Sequence, residues 1–256
     1  MKVTVFIGSG RKAHTHDAAE LFLRKLGALD PALDGEIVRL SECAIETCRG
    51  CILCMNKGEE LCPLHDDRDL LIAKMLESDG VVFATPNYLF QLSGLMKVFL
   101  DRLSFFAHRP RFFGKTFTSI VAQGIYGGSK IVDYLGFVGS AIGFNVVKGS
   151  CITTLEPMTE KGRAKTDAAI GELARRFHAE LACARFPRPS LIKLMMFRMS
   201  RTSIKSMLDE SFRDFTYFRD QGWFESDYYY PTRLSPAKSI AGRFVDAMSA
   251  RSAASR

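Results

Sequence analysis

The chain predicts an α/β protein with a doubly wound, five-stranded parallel sheet and a mostly helical C-terminal extension. Three observations lead there. Short apolar runs at Lys2–Ile7 and 80–84, without the alternation of a half-wetted strand, read as buried parallel strands, and 116–122 reads as a further strand. Each run passes directly into a loop rich in Gly, Pro or Asn and then into a helical pattern. The charge balance changes after residue 184: residues 1–184 carry 22 Lys+Arg against 21 Asp+Glu, and residues 185–256 carry 13 against 7. Of the net +7, +6 therefore lies in the last segment.

The first strand, Lys2–Ile7, ends in Gly8-Ser9-Gly10-Arg11-Lys12-Ala13-His14-Thr15, and a helix begins near 15–17 with Ala18, Leu21, Phe22 and Leu26 on its apolar stripe. This strand–loop–helix outlines a phosphate site. Small residues allow close backbone approach, the helix start offers free N–H groups and a partial positive charge, and Arg11 adds a fork of donors. Ser9 and Thr15 add hydroxyls. Gly8, Gly10 and Ala13 also satisfy G-x-G-x-x-A, but that fingerprint expects an acidic residue closing the second strand, here 36–40, where Glu42 is the candidate. An Arg, a Ser and a Thr within seven positions better suit a terminal phosphomonoester such as that of FMN. A βα turn without a ligand stays open.

After the second strand comes a cysteine-rich insert, 43–65, with Cys48, Cys51, Cys54 and Cys62 spaced C-x2-C-x2-C-x7-C. Thiolates at such spacing can converge on one inorganic centre, and the run opens like ferredoxin-type iron–sulfur sequences. A sulfur-only set also suits zinc, although zinc sites more often show two separated C-x2-C pairs. Unmetallated or redox thiols are the third reading. Cys43, Cys151 and Cys183 fall outside the spacing and are expected to be bystanders.

A helix at 66–78 follows, with Asp66 and Asp67 at its start, then a third strand at 80–84. Thr85-Pro86-Asn87-Tyr88-Leu89-Phe90 leaves that strand at the sheet edge where open parallel sheets bind ligands. Asn87 and an aromatic there suit a flat polar ring. A helix at Gly94–Arg102, a strand at 116–122 and a third glycine-rich loop, 123–128, come next. A helix at 129–142, a fifth strand at 144–151 and a helix at Glu160–Cys183 complete the expected sheet domain, residues 1–184.

Together these residues resemble the flavodoxin-like NAD(P)H-dependent FMN reductases and, within them, the iron–sulfur flavoproteins. The carriers are Gly8 to Lys12 with Thr15, the four spaced cysteines, Asp66-Asp67, Thr85 to Tyr88 with Lys97 and Asp101-Arg102, and Gly124 to Gly128. The resemblance implies a flavodoxin-like sheet of order 2-1-3-4-5 with one FMN per subunit. It implies that Ser9, Arg11 and Thr15, assisted by His14, hold the phosphate. Pro86, Asn87, Tyr88, Leu89 and Phe90 would line the isoalloxazine, and Gln123, Gly124, Gly127 and Gly128 its far side. It further implies a homodimer or homotetramer, and a [4Fe-4S] cluster on Cys48, Cys51, Cys54 and Cys62 exchanging single electrons with FMN.

The extension, 185–256, opens at Pro187 and Pro189. A basic amphipathic helix at 190–208 either packs its Met-rich stripe on protein or, as the weaker reading, lies on anionic lipid. The aromatic stretch 215–230 is too apolar for water and is expected to cover an interface or the flavin pocket; a last helix spans 236–248. No nucleic-acid recognition module appears. No apolar run approaches the roughly 20 residues of a membrane span. The run ending at Gly8 is too short for a secretion signal, and seven cysteines suit a reducing compartment, so the expected location is cytoplasmic.

The expected function is oxidoreduction: hydride from NAD(P)H to FMN, then electrons to a small-molecule or protein acceptor. Hydride transfer to a flavin needs no protein acid or base, so no catalytic residue is named. The alternative is an electron carrier reduced by a partner such as ferredoxin. A thiol or metal sensor on the same scaffold is a third.

Overall fold

The structure, a computed structural model, describes residues 1–183 and 185–254; the expected domain boundary falls at Ala184, outside the described residues. The chain divides into two units. The first comprises Met1–Arg49 and the chain from Leu64 through the helix ending at Cys183. The second comprises Gly50–Pro63 and the chain from Arg185 onward.

The first unit contains β1 (Lys2–Ile7), α1 (His14–Leu29) and β2 (Asp34–Arg39). The insert holds the one-turn helix α2 (Leu53–Asn56), part of the second unit. The first unit resumes with α3 (Arg68–Glu77), β3 (Gly80–Tyr88), β4 (Gln91–Leu92) and α4 (Gly94–Arg102), followed by β5 (Thr116–Gln123) and α5 (Gly128–Ala141). It closes with β6 (Asn145–Val146), β7 (Ser150–Thr153) and α6 (Glu160–Cys183).

The strands run β2-β1-β3-β5, with β6 and β7 both parallel to β5 and β4 antiparallel to β3. The doubly wound, flavodoxin-like order is the one expected, but among the described residues the sheet has seven strands rather than five. The strand expected at 144–151 is broken in two. Phe117 faces Val146 and Ile120 faces Ser150, so three steps along β5 match four along its neighbour, the count of a bulge. Thr118 Oγ1 takes the Val147 carbonyl at 2.9 Å, replacing a ladder bond. Gly149 lies so close that a Cβ there would stand 2.3 Å from the Ser119 carbonyl oxygen, an approach only glycine permits.

Both sheet faces are buried. Val3, Val5, Ile7, Val82 and Ile120 pack under Phe22 and Leu26 of α1 and Ile170, Leu173 and Phe177 of α6. On the other face Phe6, Phe83 and Phe117 meet Phe99 of α4 or one another; Phe6 stacks on Phe99 at 5.4 Å and Phe83 meets Phe117 edge-on at 5.0 Å. Burial on both sides explains why these strands read as continuous apolar runs.

Asp66 and Asp67 stand at the start of α3 as expected: Asp67 is its cap position, and Asp66 Oδ1 accepts the N–H of Arg68, the first helical residue, at 3.1 Å. Both carboxylates also turn back to the stem of the insert. Asp67 Oδ2 accepts the Ala44 N–H at 2.7 Å, and Asp66 Oδ2 accepts the Glu46 N–H at 2.8 Å. Arg102, at the end of α4, donates to both Asp66 oxygens and to the Glu46 carbonyl. The Asp66 and Arg102 side chains are each 2 % exposed. Burial pushes the Asp66 carboxyl up, but the Arg102 hydrogen bonds and the Glu46 and Arg68 N–H groups outweigh it and hold Asp66 below the usual carboxylate range.

The second unit contains α7 (Leu191–Met207), α8 (Arg213–Asp220) and α9 (Pro236–Ala254). Ser190 Oγ caps α7 by accepting the Lys193 N–H. Leu194, Phe197 and Arg198 face inward, and Arg198 pairs with Asp227 and with Asp246 of α9. The aromatic stretch folds on itself: Trp223 contacts Phe218 and Tyr229 at 4.9 and 4.8 Å, Phe197 contacts Tyr229 at 4.5 Å, and Trp223 Nε1 donates to the Tyr229 carbonyl. Burial raises the Tyr229 and Tyr230 hydroxyls to about 12. Met195, Met196 and Met199 stay on the exposed side of α7. Among the described residues no helix is long and apolar enough to cross a membrane.

Removing one partner of a buried ion pair costs about 3–5 kcal/mol, and Arg102→Met, leaving Asp66 buried and unpaired, is expected to lower the chemical-denaturation stability by that amount. The wild-type contribution of Asp66 is complete above the unfolded carboxylate value of about 3.9 and is lost as pH falls through the lower folded value. The variant's deficit in thermal melts should therefore shrink between neutral pH and about pH 3.

Candidate functional site

Three loops meet at the carboxyl edge of the sheet because β1, β3 and β5 run parallel: β1 ends at Ile7, which faces Ala84, and β3 and β5 continue side by side past that level to Pro86 and Ala122. Gly8 joins the first loop to the second, its N–H donating to the Ala84 carbonyl at 2.8 Å and its carbonyl accepting from Ser93 Oγ. Between the loops lies a cleft of about 280 Å³. Of the residues expected to hold a cofactor, Ser9, Arg11, His14, Thr15, Pro86, Asn87, Tyr88, Gln123 and Gly124 line it. Leu89, Phe90, Gly127 and Gly128 do not.

The first loop has the features of an anion cradle. Among the described residues no side chain caps the start of α1, whose cap position is Ala13, and the first main-chain bond to that cap comes from His16. The early N–H groups of a helix carry partial positive charge and need an outside acceptor. Ser9 Oγ donates to the Arg11 carbonyl at 2.9 Å, which shapes the loop, and Ser9 and Thr15 are almost fully buried.

The second loop differs from expectation. β3 runs on through Pro86 to Tyr88, and Asn87 and Tyr88 pair back with Leu92 and Gln91 of β4. Leu89 and Phe90 are thus the two-residue tip of a hairpin, with φ of +48° and +63°. Such turns favour Asn-Gly, and a bulky residue there costs of order 1 kcal/mol or more. No turn signal in Leu-Phe announces this. Asn87 Nδ2 donates to the Tyr126 carbonyl at 2.9 Å, tying the hairpin to the third loop. Phe90 packs against Tyr126 at 5.2 Å. Gly127 sits at φ +94°, where a Cβ would stand 2.9 Å from the Phe90 ring, so the close approach of the loops needs glycine there. Gln123 Oε1 accepts the Gly128 N–H at 2.8 Å.

Asn87 Oδ1 is buried at this cleft and has no hydrogen-bond partner among the described residues. A buried acceptor left unmet costs about 1–3 kcal/mol, so the site is shaped for a donor from outside the protein. Together with the uncapped helix start, this fits a ligand with an anionic end and a flat N–H-bearing end, as a flavin mononucleotide has.

A wall of the cleft comes from the loop after β7, through Thr154, Leu155 and Glu156. Glu156 Oε1 meets His14 Nε2 at 2.9 Å, and its Oε2 accepts the Met158 N–H at 2.9 Å. Nothing local in the sequence marks Glu156; only the crossover of α6 to the sheet edge delivers it.

Of the four spaced cysteines, Cys48 belongs to the first unit and Cys51, Cys54 and Cys62 to the second. Cys48 and Cys51 are exposed, and Cys54 lies on α2. Among the described residues no group of three or more His, Cys, Asp or Glu side chains stands in an arrangement that could hold a metal ion. Gly50 and Ile52 both adopt positive φ between the cysteines. Burial raises the Cys43 and Cys151 thiols above their ordinary value, which keeps both protonated.

Comparison with known proteins gives a consistent picture. Residues 1–154 match the family described as NADPH-dependent FMN reductase. An iron-sulfur flavoprotein of Archaeoglobus fulgidus is 34% identical over 160 residues, covering 58% of this chain and 71% of that protein. An iron-sulfur flavoprotein of Clostridioides difficile is 29% identical over 170 residues, covering 64% and 74%. Among solved structures, RosB with a bound formyl derivative of riboflavin-5'-phosphate superposes with a TM-score of 0.57 at 15% identity, covering 92% of each chain. The azoreductase AzrA gives 0.52 at 16% identity, covering 70% of this chain and all of that one. By sequence the chain belongs to the NADPH-dependent FMN reductase family, in its iron–sulfur flavoprotein subgroup.

Proposed function

We propose that the cleft binds FMN and that the protein takes hydride from NAD(P)H and passes electrons through the flavin to a small-molecule or protein acceptor. One observation carries this reading: a single cleft joins an uncapped helix start to the unmet Asn87 acceptor, two needs that one FMN satisfies together. Bound FMN supplies the redox chemistry, accepting electrons as a pair and releasing them singly. The chain's part is to bind and orient. Arg11, Thr15 and the first N–H groups of α1 hold the phosphate, with Ser9 shaping the loop around it. His14, fixed by Glu156, stands beside them. Asn87 Oδ1 accepts from a ring N–H. Pro86 and Tyr88 line the ring on one side, and Gln123 and Gly124 on the other.

Cys48, Cys51, Cys54 and Cys62 are the candidate ligands of a [4Fe-4S] cluster, supported by their spacing, their all-sulfur chemistry and the names of the relatives. A cytoplasmic homodimer or homotetramer suits reduced thiols and the exposed Leu89-Phe90 tip. The second reading, an electron carrier reduced by a protein partner, draws on relatives named as iron-sulfur flavoproteins rather than reductases.

A hydrogen bond to a charged group is worth about 1.5–3 kcal/mol, so Arg11→Ala should weaken FMN binding by about 10- to 150-fold while leaving riboflavin affinity unchanged, read by quenching of flavin fluorescence. Anaerobic mixing with NADPH should bleach bound FMN promptly; an unchanged spectrum over minutes would establish the carrier instead. Anaerobic purification should yield about four Fe and four sulfide per chain, the content of one cubane cluster on four thiolates, and Cys54→Ser should reduce it. Zinc without iron would refute the cluster.

A further inference from the structure

A second cavity lies beside the flavin cleft, between the open edge of β7 and the first turns of α6, and Leu155 lines both. Its volume is about 530 Å³, within the range of about 300–1,000 Å³ typical of small-molecule sites. The loop forming its outer wall is held in shape by its own bonds. Thr159 Oγ1 accepts the Gly162 N–H at 3.1 Å, and Arg163 donates to the Met158 carbonyl at 2.6 Å.

The lining has two characters. Ile152, Leu155, Met158 and Ala169 are apolar, whereas Lys161 and Lys165 stand one helical turn apart on the same face of α6. Among the described residues no carboxylate lines the cavity, and neither lysine is held in an ion pair or side-chain hydrogen bond. Glu160, before Lys161 on α6, is not part of the lining; Glu156 is engaged by His14 and the Met158 N–H, and Asp167 by Lys25 at 2.8 Å. The strand adds main-chain groups. The Thr154 N–H donates to the Gln123 carbonyl on β5, and the alternation of a parallel strand then turns the N–H and C=O of Thr153 to the open edge.

An apolar wall, an unpaired strand edge and two unopposed ammonium groups suit a flat heterocycle with hydrogen-bonding edges that carries a phosphomonoester. The flavin phosphate already has Arg11 and α1, so this cavity is left for another ligand. We propose that it binds the 2'-phosphoadenosine end of NADPH, the phosphate between Lys161 and Lys165 and the adenine against the apolar wall. This rests on the hydride-donor reading above and makes the donor NADPH rather than NADH. A phosphomonoester adds about two charges that a bare ribose hydroxyl lacks, and two lysines without carboxylates reward that difference.

The test is calorimetric titration of the as-purified protein with 2',5'-ADP, 5'-AMP and inorganic phosphate. Wild-type protein should bind 2',5'-ADP at least tenfold more tightly than 5'-AMP, with millimolar inorganic phosphate a weak competitor. The Lys161→Ala/Lys165→Ala double variant should lose that preference, and Lys161→Arg/Lys165→Arg, which keeps both charges, should retain it. The ratio of kcat/KM for NADPH over NADH should fall at least tenfold in the alanine variant. Equal affinity of wild-type protein for the two nucleotides, or a preference that survives the alanine variant, overturns the proposal. Strong competition by inorganic phosphate would reduce the site to a simple anion site and overturns it as well. A chain that takes up no FMN yet shows the lysine-dependent preference would sink the flavin reading alone. An FMN-loaded chain without the preference would sink this one alone.

Discussion

The constraint on which the molecule depends is the parallel register of β1, β3 and β5. Parallel neighbours need a crossover, and each crossover here is built on a helix that lies on a sheet face. All three strands therefore point the same way and give their following loops to the same edge. Their loops have nowhere to go but one edge, which is how Arg11, Asn87 and Gln123, far apart in the chain, come to share one cleft. The buried phenylalanines on one face and the α1–α6 layer on the other hold that register by packing, since a slip of one residue would turn apolar side chains to the wrong face.

The site sits where local preference is overruled. Leu89 and Phe90 occupy backbone conformations that favour glycine or asparagine, and Asn87 buries an acceptor without a partner. Both features cost stability. They persist because the β3–β4 pairing, the Asn87–Tyr126 bond and the Ser93–Gly8 bond fix the hairpin from three directions. Strain and unmet polarity kept at a cleft by rigid surroundings are what a pre-shaped ligand site requires.

The buried Asp66–Arg102 pair plays the same part for the cysteine insert. It joins the end of α4 to both stems of the insert, so the chain leaves and re-enters the sheet unit at a determined place. The aspartates stand at the start of α3, where an acid before an apolar helical pattern normally lies. Their other partners, Ala44 and Glu46, lie far upstream, beyond the reach of any local pattern.

The sequence by itself determined the main parallel strands, the covering helices, the doubly wound layering and the two outer loops of the cleft. Those depend on apolar periodicity and on Gly, Pro and Asn at strand ends, which act over a few residues; the strand order followed from the family resemblance. Only the tertiary structure decided that β3 continues into a hairpin, that the last strand breaks at Gly149, that Glu156 reaches His14 and that Lys161 and Lys165 border a second cavity. Each is an encounter between segments distant in the chain, set by crossover geometry and close packing.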